Sequence, residues 1–193
     1  MKRGIITIII FTVVALMMSS CSYNKMVEKQ EEVEAQWAQV ENVYQRRADL
    51  IPNIVNTVKG YAQHEESTLT AVIEARAKAT SITIDPTNIN PDDLEKFQAA
   101  QDQLSSAVSR LLVSVEQYPD LKANEQFMAL ITELEGSENR IAVERRKFNE
   151  VAKDYNQYIR KFPHNIVASI FGFEKVGYFK AKEGADVAPT VQF

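Results

Sequence analysis

Read for its hydrophobic and polar positions, the chain from Met26 onward resolves into segments whose apolar residues recur every third or fourth position, the period of an α-helix. Met26, Gln30, Val33, Trp37, Val40 and Tyr44 make a heptad-like stripe, with Glu28, Lys29, Glu31, Glu32, Glu34 and Glu41 filling the positions between. The stripe continues in phase through Ala48, Ile51, Val55, Val58, Ala62, Leu69 and Val72. Pro52 has no amide to donate and its ring crowds the carbonyl of Ala48, so the pattern predicts one helix over about residues 23–79, kinked at Pro52. No reversal is expected at the kink. A chain turns back through about 2 to 5 loop residues, and Asp49-Leu50-Ile51-Pro52 offers neither a glycine nor a polar spacer.

From Thr80 to Asn90, β-branched residues, Asn and Pro replace helix formers and end that first helix. Asn90 then suits an N-cap, Pro91 the first helical position, and Asp92-Asp93 the positive end of a helix dipole. The second helix, about 91–117, carries Leu94, Phe97, Gln101, Leu104, Val108, Leu111 and Val115 in alternating steps of three and four. Pro119 drives Tyr118 out of the helical region and opens a corner. Asn124 caps a third helix, about 124–162, striped by Phe127, Leu130, Leu134, Ile141, Phe148, Val151, Tyr155, Ile159 and Phe162. Gly136 interrupts it at a cost of about 1 kcal/mol relative to alanine. Pro163 closes it, and a short apolar helix follows over about 164–171, ending at Gly172. The last twenty residues, from Gly184 especially, read as a loose tail.

The expected fold is therefore all-α, an antiparallel bundle of long helices. At about 1.5 Å per residue the three long helices would measure roughly 85, 40 and 60 Å. The first has no single partner long enough to cover it, so the stripe from Met26 to Tyr44 needs either the C-terminal segment or a second protomer.

Ahead of the stripes lie Lys2-Arg3, an apolar run from Gly4 to Met18, and Ser19-Ser20-Cys21. The run has the length of a signal-peptide core and falls just short of the roughly 20 residues that span a bilayer. Small residues before the lone cysteine resemble the bacterial lipobox, which makes Cys21 the expected lipidation site, although Met18 stands where leucine is usual. An uncleaved single-span anchor is the alternative. Either way the expectation is a tethered protein of a bacterial cell membrane, lipid-anchored and extracytoplasmic or single-pass. Residues 1–20 serve as signal or anchor, 21–183 as the bundle and 184–193 as a flexible tail.

Composition narrows the partners. The 193 residues hold 22 basic and 26 acidic side chains, for a net charge of −4. Without residues 1–20 the balance is 20 basic against 26 acidic, a net charge of −6, which argues against nucleic acid or an anionic membrane surface as the main partner. With one cysteine in the chain, an exported domain must rely on packing alone.

Polar residues gather in two stretches. One is Arg46, Arg47 and Asp49 with His64 and Glu65 further on; the other is Glu138, Asn139 and Arg145 on or beside the third stripe. Charges on a buried face must be paired, since an isolated one costs several kcal/mol. One reading is an interhelical ion-pair network that fixes register. The other is an anion or peptide-terminus site built from Arg46, Arg47 and Arg145. His64-Glu65 begins like a helical zinc motif, but Thr68 stands where the second histidine belongs. No metal and no cofactor is expected. Ser105, Ser106 and Ser114 have no histidine at helical spacing to activate them, and no glycine-rich phosphate loop is present, so no catalytic residue is assigned.

Four blocks resemble the signature of the bacterial LemA family: Arg46 to Asn53; Val58-Lys59-Gly60-Tyr61 with His64-Glu65; Tyr118 to Asn124; and Glu138 to Ala142 with Arg145-Arg146 and Asn149. The likeness extends over Tyr23 to about Phe179 and takes in Phe162-Pro163 and Phe171-Gly172-Phe173. It implies a bundle of long antiparallel helices behind an N-terminal membrane anchor, and it carries over no catalytic or ligand-binding residue. The departure is at Ser19-Ser20-Cys21, where many members look like single-span proteins. The function expected is a non-enzymatic scaffold or adaptor that binds protein partners or self-associates. A receptor or enzyme using Arg46, Arg47, Asp49, His64 and Glu65 beside Pro52 is the alternative.

Overall fold

A computed structural model describes residues 2–61 and 66–181, with side chains from Cys21 onward. Among the described residues there are six helices and no strand: α1 (Lys2–Tyr61), α2 (Glu66–Ser81), α3 (Pro91–Val115), α4 (Pro119–Lys122), α5 (Glu125–Arg160) and α6 (His164–Phe171). The expected all-α architecture is what forms. Local signals start the helices where the sequence places them: Asn90 Oδ1 accepts from the Asp93 amide at 2.9 Å, and Asn124 Oδ1 accepts from the Phe127 amide at 2.9 Å. Gly172 ends α6 in the left-handed region, at φ 76°.

The first helix differs from its expected course. It does not reach Ala79; α1 ends at Tyr61 and α2 returns alongside it. Arg76 on α2 donates from Nε to the Ala48 carbonyl of α1 at 2.7 Å, whereas 28 residues of unbroken helix would hold the two about 42 Å apart. The stripe stays in phase across the reversal because it records which face is buried and not which way the chain runs. The Arg76 bond also answers Pro52. That proline sits inside α1 and cannot donate to Ala48, and the carbonyl it leaves open takes its proton donor from the neighbouring helix instead.

α5 descends antiparallel to α1, with Asn124 Nδ2 donating to the Tyr61 hydroxyl at 2.9 Å at one end and Tyr158 stacked on His164, which meets Ser22 at 2.9 Å, at the other. α3 runs beside α2 and parallel to α1. Two hydrophobic clusters result. At the base, near Cys21, Trp37 packs with Phe97, Phe148 and Phe179, joined by Met26, Val33, Val40, Tyr44 and Tyr155. Farther along, an aliphatic cluster gathers Ile51, Ile54, Val58, Leu69, Val72, Leu104, Leu111 and Leu134.

The stripe from Met26 to Tyr44 is covered by the C-terminal segment, one of the two solutions expected. Residues 173–181 run extended along α5, and Phe179 is buried beside Trp37 and Phe148. The looseness expected over the last twenty residues therefore does not extend to residues 174–180, because side-chain amides hold their backbone. The expected tail, 184–193, lies outside the described residues.

Candidate functional site

The most concentrated buried polar group lies where the two clusters meet. Arg47 projects inward from α1 and is 3% exposed. Its Nη1 donates to Ser105 Oγ and to Glu138 Oε1, each at 2.8 Å, and its Nη2 donates to Gln101 Oε1 and to the Gln101 carbonyl, the latter at 3.3 Å. Gln101 passes the chain on, donating from Nε2 to the Ala79 carbonyl at 3.1 Å. The guanidinium also lies 5.2 Å from the centre of the Tyr44 ring. One arginine thus ties α1 to α3 and α5, and through Gln101 to the end of α2. Glu138 is 42% exposed, so water shares in balancing the charge. Burial pushes the Tyr44 phenol above its ordinary range, against the pull of Arg145 and Arg47.

The other residues singled out by sequence do not converge on Arg47. Arg46 points outward and pairs with Glu133 of α5 at 2.6 Å. Asp49 accepts from Gln45 on its own helix at 2.8 Å, and together with Arg46 and Arg140 it borders a shallow groove between α1 and α5. Asn139 is exposed on α5. Arg145 lies over the Phe179 ring at 4.8 Å and donates to the Lys180 carbonyl at 2.9 Å. His64 and Glu65 lie outside the described residues. Cys21 is a free, exposed thiol at the base. Among the described residues no group of three or more His, Cys, Asp or Glu side chains could hold a metal ion.

A second polar arrangement went unread in the sequence. Asn156 on α5 donates from Nδ2 to the Val176 carbonyl at 2.8 Å and accepts from the Val176 amide at 2.9 Å. Seven residues earlier, Asn149 makes the same pair of bonds with Phe179, both at 2.9 Å. Gln98 of α3 does so with Lys180, at 3.0 and 3.1 Å. Each side-chain amide presents a donor and an acceptor to one residue's backbone, as a neighbouring strand would. Gly177 is needed between them: its amide donates to the Ile89 carbonyl at 2.9 Å, and a Cβ there would stand 2.9 Å from Pro91 Cα. Asn149 and Asn156 each follow an apolar stripe residue, Phe148 and Tyr155, and that seven-residue repeat was the available signal. Tyr155 itself is driven up to about 12 by burial, helped by the charge of Glu174.

What the structure defines is an all-α bundle stitched by a buried arginine and closed by its own extended C-terminal segment. The LemA family profile matches residues 36–193, and the chain belongs to the LemA family. Magnetosome protein MamQ 2 of Paramagnetospirillum magneticum is 27% identical over an alignment of 203 residues that covers 96% of this chain and 73% of that protein. Protein LemA of Metamycoplasma hominis is 28% identical over 160 residues, 83% of this chain and 69% of its own. Magnetosome protein MamQ of Magnetospirillum gryphiswaldense is 29% identical over 181 residues, covering 85% and 66%.

Proposed function

We propose that this protein is a membrane-tethered, non-enzymatic scaffold or adaptor of the bacterial cell envelope. It displays a rigid helical bundle to protein partners or to further copies of itself, and it is held either by lipid on Cys21 or by the apolar run as a single span. In this reading residues 1–20 are signal or anchor and 21–183 are the displayed body. The observation that carries it is the continuity of α1. One helix passes from Lys2, through the apolar run, to Met26, Val33 and Trp37 in the core. Whether the anchor is the apolar run or lipid on Cys21, it joins the bundle on this one helix, since Cys21 lies within α1, and no flexible joint separates the two.

Two further observations favour scaffolding over chemistry. Both terminal nitrogens of the buried Arg47 guanidinium are engaged in bonds that hold three helices together, while its Nε has no hydrogen-bond partner, and Arg46 leaves α1 toward a different partner. The receptor or enzyme alternative, which requires Arg46, Arg47, Asp49, His64 and Glu65 to share a pocket, draws no comparable support.

Partner capture from intact cells, by crosslinking the full chain, tests the role. A reproducible partner or a self-crosslinked species is expected, and recovery of monomer alone would overturn it. A Cys21→Ser variant in the same cells should lose acyl labelling and membrane retention. Loss of neither would leave the apolar run as the anchor.

A further inference from the structure

Large exposed hydrophobic side chains are concentrated at one place. Of the eleven among the described residues, five belong to the base: Tyr23, Phe162, Ile166, Ile170 and Phe171. α6 is short and two-sided. Val167 and Ala168 are buried against the bundle, while Ile166 and Ile170, one turn apart, are 52% and 71% exposed, flanked by Phe162 at 80% and Phe171 at 58%. A contiguous patch of this kind on a monomer normally marks a contact surface.

Its position in the chain says what the surface meets. α6 is level with Ser22 and Tyr23, through the His164–Ser22 contact at 2.9 Å and the Tyr23–Phe171 edge-to-face pair at 4.9 Å. The apolar run ends at Met18 on the same continuous helix, so α6 lies about 6 Å beyond it along the axis. The headgroup layer on each side of a bilayer is itself about 5 to 7 Å deep. Two exposed cations, Arg160 and Lys161, immediately precede Phe162, the arrangement by which an interfacial helix meets anionic lipid.

We infer that α6, with Phe162, is a second membrane contact: an interfacial helix whose Phe162, Ile166, Ile170 and Phe171 enter the lipid surface beside the N-terminal tether. The occupant of this face is the bilayer that holds the tether. One point of attachment leaves a rod free to tilt; two fix its angle. The inference rests on the tethered reading above, and it holds whether the tether is acyl chain or apolar helix.

The test uses the full chain carrying Ile170→Trp, reconstituted into phosphatidylcholine–phosphatidylglycerol vesicles with or without brominated acyl chains. Trp37 is buried in the base cluster, about 24 Å along α1 from Cys21, and provides constant background. The emission added at position 170 should shift to the blue and fall about twofold in brominated vesicles, the depth expected of an interfacial helix. Val113→Trp, an exposed site on α3, should show neither change. If the chain floats with vesicles but position 170 is quenched no more than position 113, α6 does not touch lipid and this inference fails while the tether stands. A blue shift without quenching means that a second copy covers the face, and it overturns the inference equally. Failure to float removes both readings.

Discussion

The base of the bundle and its far end share α1, α3 and α5 but close in different ways. The base is aromatic and non-local: Trp37, Phe97, Phe148 and Phe179 meet from four elements spread over more than 140 residues of sequence. The far end is mostly aliphatic, with Phe127 its one buried aromatic ring, and more local, with the α2–α3 hairpin supplying much of it. The Arg47 layer falls at the boundary on all three shared helices. Tyr44 and Leu50, Phe97 and Leu104, and Ile141 and Leu134 lie on opposite sides of it. The comparison teaches that a bundle can be continuous in backbone and divided in its core, with the charged layer setting the register of each half.

The largest expected effect comes from the base. Phe148→Ala removes a side chain of zero exposure and should cost about 3 to 5 kcal/mol, measured by urea unfolding. Hydrogen exchange would show whether the halves are separable: the last turns of α5 and residues 176–180 should lose protection while α2 and α3 keep theirs. Equal loss in both halves would show that the layer does not divide the core.

The layer itself comes next. Arg47→Met leaves the Gln101 acceptor buried without a donor, and about 2 kcal/mol of stability should go. Glu138→Gln should cost less, because Glu138 is partly in water. The opposite ranking in urea midpoints would mean that the carboxylate, and not the guanidinium, organises the layer.

Alkali gives the most selective effect. Burial favours the neutral phenol of Tyr155, raising it to about 12 in the folded protein, while an unfolded tyrosine ionises near 10. Between those values the unfolded chain holds fewer protons than the native one, so stability is full below about pH 10 and is lost as pH rises toward 12. The raised Tyr44 shares the base cluster with it, so high pH should loosen the base first. Tyr155→Phe should flatten the decline in urea midpoint across that range, and an unchanged slope would place the titrating group elsewhere.

Much of this fold could be read directly. Asn90 and Asn124 announced α3 and α5 because a cap is a local event, and the steps of three and four from Leu94 to Val115 defined a face that is indeed buried. The hairpin after Tyr61 was hidden because both arms bury the same face, so Val58, Leu69 and Val72 keep one phase. Pro52 drew attention to the wrong position for a break, since its orphan carbonyl is satisfied by Arg76, a partner that only tertiary structure supplies. Glu138 and Arg145 were placed on or beside a stripe and an interhelical ion-pair network was one reading, but the partner of Glu138 is Arg47, whereas Arg145 meets Phe179 and the Lys180 carbonyl. Which of Arg46 and Arg47 turned inward depended on a rotation of about 100° between neighbours on the helix. Asn156 and Gln98 escaped, and Asn149 was noted only as part of a family block, because polar residues next to a stripe usually mean solvent.

The three amide clamps address only backbone atoms, so they are indifferent to which side chains the segment carries at 176, 179 and 180, provided none is proline. What they do measure is spacing. A slip of one residue would offer Asn149 a different amide and would turn Phe179 away from Trp37 and Phe148, while bringing a side chain to the place beside Pro91 that only Gly177 fits. The segment 176–180 is thus matched to the bundle by counting, with Phe179 and Gly177 fixed by what they meet and the clamps holding the spacing between them.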